Sequence, residues 1–147
     1  MATSNAATTY LEHAILDFLF KNNSESLATL GNSIYIGLAT AVSDAEAGSV
    51  TEVNTSTQDA NYTREQVTAA NWTLTASSGD QQTVTNAANI EYSASSGIAS
   101  YTVTHAFVAD ASTSGNILFV GALDASKTIA SGDIFRINAG NFTIELK

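Results

Sequence analysis

The last fifty residues of the chain, residues 98–147, constrain its fold more than any other stretch. They consist of short apolar runs, rich in Val, Ile, Phe, Tyr and Thr, and each run is closed by Gly, Ser, Asn or Asp. The runs lie at 98–109, 117–123, 134–137 and 142–146. Short β-rich runs with turn residues between them are typical of an antiparallel sandwich or barrel.

The middle of the chain repeats this pattern with shorter and more polar runs. With the C-terminal runs they predict an all-β sandwich of roughly 8–10 antiparallel strands. In the run at 71–76, alternation of apolar and polar residues predicts that Trp72 and Leu74 face the core. Loops are expected at 41–49 and 54–61, where small and polar residues cluster. The predicted strands of this region are residues 32–40, 50–53, 62–67, 71–76, 83–85 and 90–92.

One stretch near the N-terminus has helical periodicity. Residues 9–21 place Leu11, Ala14, Ile15, Phe18 and Leu19 on one stripe, which predicts an amphipathic helix. Thr9 and Glu12 have the spacing of a capping box. We expect residues 1–8 to be a flexible arm and residues 9–147 to form a single domain.

Two further apolar residues, Leu16 and Phe20, widen the apolar face of this helix beyond what one contact requires. Two interpretations stay open. The helix closes one end of the sandwich, or it packs partly on a neighbouring subunit.

Charge and composition exclude several classes of protein. The chain carries a net charge of −9, and its five basic residues form no cluster, so contact with nucleic acid or an anionic membrane surface is not expected. No run approaches the roughly 20 apolar residues of a membrane span. The absence of cysteine fits synthesis in a reducing host cytoplasm. Ser and Thr make up about a quarter of the chain, which suits hydroxyl-rich strand surfaces.

No catalytic or metal-binding pattern is present, so we predict neither an enzyme nor a cofactor. The candidate bases are His13 on the polar side of the helix and His105 in a predicted strand, where alternation turns it toward the core with Tyr101, Val103 and Phe107. Asp44 and Glu46 lie in a loop that resembles a calcium loop only faintly, because Gly48 stands where a further oxygen ligand is needed. We therefore predict no metal site.

Short motifs follow one another in a fixed order along most of the chain. They are the helix YLEHAILDFLF, YIGLAT at 35–40, TEV at 51–53, NYTRE at 61–65, IEY at 90–92, TVTH at 102–105, GNIL at 115–118, GAL at 121–123, SKTI at 126–129, SGD at 131–133 and INAGNFTI at 137–144. Their order and spacing resemble a family of small tailed-phage virion proteins described as tail-fibre or structural proteins. Tyr101 departs from the pattern of this family, in which a Trp-Gly pair is usual at that place, and the loop at 93–97 also differs.

The resemblance implies a jelly-roll-like sandwich with a structural role in the virion. The first expectation is a capsid decoration (cement) protein, a homotrimer that binds the major capsid protein on the outer shell and stabilises it. A compact acidic chain without repeats or coiled coils favours this position. The alternative is a tail or tail-fibre component that binds another tail protein. A carbohydrate-binding module is a further alternative, with Tyr35, Tyr62 and Trp72 as its aromatic residues.

For all of these roles, the expected contacts lie in the N-terminal half of the chain. They come from the arm, the helix and the loops that follow it. The candidate contact residues are Thr8, Thr9, Tyr10, Glu12, His13, Leu16, Phe20, Asp44, Glu46, Asp59, Tyr62 and Arg64.

Overall fold

A computed structural model describes residues 6–21, 34–76 and 82–146. Within these ranges the chain forms one helix and eleven strands, and every strand pair is antiparallel. This confirms the predicted all-β, sandwich-like class with an N-terminal helix. The elements are β1 Ala6–Ala7, α1 Thr9–Lys21, β2 Tyr35–Asp44, β3 Ser49–Glu52, β4 Glu65–Gln66, a 3-10 turn Ala69–Asn71, β5 Trp72–Ala76, β6 Gln82–Asn86, β7 Ile90–Ser93, β8 Tyr101–Ala109, β9 Ile117–Ile129, β10 Ile134–Ile137 and β11 Thr143–Leu146.

The largest sheet has the strand order β1-β9-β8-β2-β3, and β4 pairs with the other end of β2. Two smaller sheets pair β11-β6-β5 and β10-β7. The main buried cluster contains Ile36, Leu38, Val103 and Leu118 of the large sheet together with Tyr92 of β7. Side chains of β5 and β11 pack against this cluster as well. The main core therefore lies where the small sheets cover one face of the large sheet.

A second, smaller cluster lies on the opposite face of the large sheet. It contains Ala39, Phe107, Ala109 and Val120, with Ala45 from the turn that follows β2. The centre of the large sheet is thus buried on both faces, and its middle strands are apolar on both sides. This explains why β2 has consecutive buried residues where alternation predicted one inward face.

A register shift between Val103 and His105 interrupts the alternation of β8. Before the shift, Tyr101 and Val103 belong to the main cluster; after it, Ala106 and Val108 do. His105 was predicted to share one core-facing side with Tyr101, Val103 and Phe107. The shift leaves His105 on the face of Phe107, which carries the second cluster, whereas Tyr101 and Val103 lie on the face of the main core. Burial lowers the pKa of His105, and its Nδ1 lies 2.8 Å from Thr104 Oγ1.

Several predicted boundaries need correction. The loop expected at 41–49 is strand as far as Asp44, because β2 and β3 form a hairpin with a tight turn. The strand expected at 62–67 is reduced to β4, and Leu74 is 75 % exposed instead of facing inward. The flexible arm does not include residues 6–8, since Ala6 and Ala7 pair with β9. The remainder of the arm and the turn predicted at 77–82 lie outside the described residues, apart from Gln82.

Candidate interaction surface

The helix α1 has the predicted bounds, but its N-cap is Thr8 and not Thr9. The Oγ1 of Thr8 accepts a hydrogen bond from the backbone N of Leu11 at 3.4 Å. Leu11 follows Thr8 by three residues, which is the spacing typical of a capping side chain. Its own N donates to Leu118 O at 2.9 Å, and its Oγ1 donates to Ile117 O at 2.6 Å. Thr8 is buried by these contacts, so we remove it from the candidate contact residues.

The start of α1 packs against the β2–β3 turn. The backbone N of Thr9 donates to Glu46 O at 2.8 Å. Asp44 holds the same turn by accepting a hydrogen bond from Ala47 N at 3.1 Å. Gly48, with φ +66, lies close to both Thr8 and Ile117. Candidates from two separate parts of the chain thus meet at one edge of the molecule.

This edge is acidic and exposed. Asp44 and Glu46 on the turn are exposed, as are Thr9, Glu12 and His13 on the first half of α1. Tyr10, the remaining candidate in the first half of α1, is 37 % exposed. These residues form the acidic edge of the molecule, where the helix begins.

The second half of α1 exposes large apolar side chains. Leu11 and Ala14 of the first half are buried in contact with the body of the protein. Leu16 is 58 % exposed, Leu19 63 % and Phe20 80 %. At about 100° per residue, Leu16 and Phe20 point away from Leu11 and Ala14, whereas Leu19 lies about 80° from Leu11. Phe18 is 46 % exposed as well, so of the predicted stripe only Leu11 and Ala14 are buried. We call Leu16, Leu19 and Phe20 the outer face of α1.

Three other candidates, Asp59, Tyr62 and Arg64, are wrong as surface contacts because their polar atoms are used inside the protein. Arg64 binds Glu52 at two points, Nε–Oε1 at 2.9 Å and NH2–Oε2 at 2.8 Å. Its NH1 donates to Ala111 O and Ser114 O, at 2.9 and 2.7 Å. The guanidinium also lies 5.1 Å from the centre of the Phe107 ring, within the range of a cation–π contact.

Tyr62 completes this buried network. Its hydroxyl accepts a hydrogen bond from Leu38 N at 2.8 Å and donates to Glu52 Oε1 at 2.9 Å. Burial and the negative charge of Glu52 raise the pKa of Tyr62, so the phenol stays protonated. The network joins β2, β3 and the β8–β9 turn. It stabilises the fold and leaves these polar atoms unavailable for contact with a partner.

Asp59 anchors the loop at 54–61. Its carboxylate accepts hydrogen bonds from Asn61 N, from both N and Oγ of Ser95, and from the Tyr101 hydroxyl, at 2.8–3.0 Å. Burial acts to raise the pKa of Asp59, but these hydrogen bonds outweigh burial and hold it below its ordinary value. The loop is therefore a structural connection to β8, although its sequence resembles an exposed polar segment.

An open cleft of about 670 Å³ lies between β9 and β11. Phe119, Leu123, Phe142 and Ile144 are among its apolar lining residues, and Asp124 lines it too. No sequence signal indicates this cleft, because it depends on how far apart the edges of two sheets lie.

The aromatic residues suggested for carbohydrate binding do not form an exposed platform. Tyr62 is buried, and Trp72 packs edge-on against Phe142 with its Nε1 donating to Val67 O. Tyr35 lies in β2 and is half-buried. In the described part of the chain, no group of His, Asp and Glu side chains is arranged to hold a metal ion. No helix there is long and apolar enough to cross a membrane.

Comparison with protein families identifies one to which the chain is similar. A family model described as "Podophage GP4 fiber I protein gp80" matches residues 6–145. The matched range contains α1 and all the described strands except the last residue of β11. No curated protein matches the chain.

Proposed function

Because the chain belongs to the Podophage GP4 fiber I protein gp80 family, we propose that it is a structural subunit of a phage tail fibre. Membership confirms the predicted resemblance to phage virion structural proteins. The extent of the match is the observation that carries the proposal, since it covers the whole described sandwich and not one motif. We assign the chain no enzymatic role.

The shape of the described fold supports a particular place within a fibre. A fibre shaft is built from repeats or long coiled coils. The longest helix in the described residues has 13 residues, and the strands form one sandwich. We therefore propose that the subunit is a compact block of the fibre, placed beside another tail protein, and not a length of shaft.

Capsid decoration, the first expectation from sequence, becomes the second candidate. The compact sandwich and the acidic edge still favour an outward-facing shell protein. The family description names a fibre, however, and this favours the tail. The homotrimer and the major capsid or tail protein as partner remain predictions.

Localisation in the virion tests the proposal. Purified particles that carry an epitope tag after residue 147 would be imaged by electron microscopy with an antibody to the tag. Label on the tail or its fibres is the expected result. Label spread over the icosahedral shell would overturn the proposal in favour of decoration.

Loss of the gene product provides a second readout. Particles made without the chain are expected to keep intact, DNA-filled capsids and to lose fibre density. A decoration protein would give the opposite result, with fibres present and capsids that break under heat or low salt. A chain absent from purified virions by mass spectrometry would contradict both candidates.

A further inference from the structure

The cleft between β9 and β11 opens onto the main core. Its floor consists of Phe119, Leu123, Phe142 and Ile144, half-buried side chains that pack against the main cluster. Its volume of about 670 Å³ falls within the roughly 300–1,000 Å³ of typical binding sites. A Cβ at Gly121 would meet no atom within 4 Å, so the floor has a gap between Phe119 and Leu123. The cleft thus combines an apolar floor with room for the side chains of a ligand.

The cleft is elongated along the strands. Its lining includes the consecutive residues 119–124 of β9 and the consecutive residues 141–145 around the start of β11. At a rise of roughly 3.4 Å per residue, the stretch of β9 is about 17 Å long. A ligand that fills the cleft therefore lies lengthwise along both strands.

The β11 wall of the cleft is the edge of a sheet. Among the described strands β11 pairs with β6 and lies at the end of the order β11-β6-β5. Phe142 O accepts a hydrogen bond from Asn86 N on β6. Because backbone groups alternate in direction along a strand, Thr143 turns its N–H and C=O away from β6 and toward the cleft. An extended peptide along this edge can bond to these groups, as when a strand is added to a sheet.

The charge of the cleft indicates what such a segment carries. Asp124 on β9 and Glu145 on β11 line its two walls, and both residues are exposed. The described lining residues include no Lys, Arg or His. In a chain of net charge −9, this cleft repels an acidic segment and attracts one with lysine or arginine at its rim. A second copy is a poor source of such a segment, because the chain has only five basic residues.

We propose that the β9–β11 cleft binds an extended segment of a neighbouring tail protein, with apolar side chains on the floor and a lysine or arginine beside Asp124. The proposal rests on the proposed function, in which the subunit lies beside another tail protein. Side chains alternate between two sides of an extended segment. The segment therefore carries apolar and basic residues at alternate positions.

Capped heptapeptides test this pattern in solution. In one peptide valine alternates with lysine, and in two others glutamine or glutamate replaces the lysine. Titration of the lysine peptide into the full chain, labelled with nitrogen-15, should shift the backbone amide signals of residues 119–124 and 141–145 with a Kd of roughly 0.1–1 mM. The glutamine peptide should bind about two- to fivefold more weakly, because it lacks the charge. The glutamate peptide should bind more weakly still.

Reversing one charge of the cleft tests the electrostatic part of the proposal. Asp124→Lys should raise the Kd of the lysine peptide at least about tenfold and lower that of the glutamate peptide, since the β9 wall changes sign. Glu12→Lys is the matched control, because Glu12 is an exposed carboxylate on α1 outside the cleft. It makes the same change in net charge and should leave both Kd values within about twofold of those of the natural chain.

Filling the floor tests the apolar part. Gly121→Trp places a large ring in the gap beside Phe119 and should weaken binding of the lysine peptide at least about tenfold. Circular dichroism checks that each variant keeps its fold. If Gly121→Trp unfolds, Thr143→Pro replaces it, since proline on an edge strand removes only the N–H that faces the cleft and should also raise the Kd.

Three results would overturn the proposal. The first is equal binding of the lysine and glutamine peptides, which would indicate an uncharged occupant. The second is a set of shifted signals that lies outside the cleft. The third is the absence of binding up to about 2 mM, which would show that the cleft does not accept a peptide from another chain.

Photocrosslinking in the particle identifies the source of the segment. Benzoylphenylalanine in place of Thr143 should give a covalent product with another tail protein, at a segment that contains lysine or arginine. The same group in place of Leu74, which is exposed on β5, should not give this product. A product with a second copy, or with residues 1–5 of the same chain, would overturn the proposal.

Failure of the proposal is distinguishable from failure of the proposed function. A chain that is found in the tail but gives no such crosslink keeps the proposed function and loses the assigned occupant of the cleft. A chain that binds the lysine peptide but is absent from the tail removes the proposed function, and with it the tail protein as partner.

Discussion

Arg64 and Glu52 form a two-point ion pair in which the Arg64 side chain is only 7 % exposed and that of Glu52 29 %. Both nitrogens of the pair lie within 2.9 Å of a carboxylate oxygen. The remaining guanidinium nitrogen NH1 holds two carbonyls of the β8–β9 turn. One side chain therefore joins strand β3 to a turn that follows β8, across the central strands of the large sheet.

Replacing Arg64 should destabilise the fold strongly. Arg64→Gln leaves a partly buried carboxylate without its counter-charge, and loss of one member of a buried pair costs about 3 kcal/mol or more. Urea unfolding should show this loss. The exposed pair of Arg136 with Glu91 supplies the control, since Arg136→Gln should cost less than about 1 kcal/mol. Equal losses of unfolding free energy in Arg64→Gln and Arg136→Gln would show that burial does not strengthen the Arg64–Glu52 pair.

Protonation of Asp59 should weaken the fold in acid. Its folded pKa lies below the ordinary 3.8, so its contribution to stability is present above that value and is lost as pH falls through the folded pKa. The free energy of unfolding should therefore fall with acidification below about pH 5. Asp59→Asn should be less stable than the natural chain at neutral pH by about 1–3 kcal/mol and should show a shallower acid dependence.

Tyr101→Phe tests the cause of that pKa shift. It removes the hydrogen bond from the Tyr101 hydroxyl to Asp59 Oδ2 without changing the shape of the ring. The pKa of Asp59, followed by NMR, should move back toward its ordinary value. An unchanged pKa in this variant would assign the shift to the Ser95 and Asn61 hydrogen bonds alone.

Gly37 should not tolerate a side chain. A Cβ at this position would overlap the ring of Phe107, which has no exposed surface. Gly37→Ala should cost about 1–3 kcal/mol or more, because the buried ring has no room to move. Combining it with Phe107→Leu should recover part of that loss in a double-mutant cycle. Gly121→Ala is the control, since a Cβ there would meet no atom within 4 Å.

Asn86 should be required for the contact between β6 and the β10–β11 turn. Its Nδ2 donates to Ala88 O and Asn138 O, and its Oδ1 accepts from Phe142 N. Asn86→Ala leaves these groups without their partner and should cost about 3 kcal/mol in thermal or urea unfolding. Asn89→Ala removes one exposed hydrogen bond, which Ala139 N donates to Asn89 Oδ1, and should cost about 1 kcal/mol or less.

The parts of the fold that follow from local pattern were predictable from sequence. The bounds of α1 and β10 agree with the periodicity. The bulge in β8 was not predictable, because it depends on pairing with β9. Leu74 was predicted inward from alternation, but it lies on an edge strand of a three-stranded sheet.

The exposure of the candidate contact residues was predictable on α1 and on the β2–β3 turn, but not for the residues that follow β3. Leu16 and Phe20 are apolar but lie outside the stripe of the helix that was predicted to be buried. The structure exposes both side chains. Asp59 was assigned to the surface because it lies in a predicted polar loop, and Tyr62 and Arg64 because they follow that loop. Their burial depends on partners on other strands and loops, 10 to 50 residues away in sequence, among them Glu52, Ser95 and Ser114, which no local pattern reveals.

The anchoring of α1 by Thr8 determines how the molecule responds to force. The hydrogen bonds of Thr8 to Leu118 and Ile117, and that of Thr9 to Glu46, lie at the start of the helix. A neighbour that pulls on the outer face of α1 therefore pulls on the longest strand of the large sheet, β9. Because β9 pairs with β8 within residues 117–122 and 127–129, this tension is shared among several backbone hydrogen bonds at once. The helix is thus coupled through β9 to the large sheet.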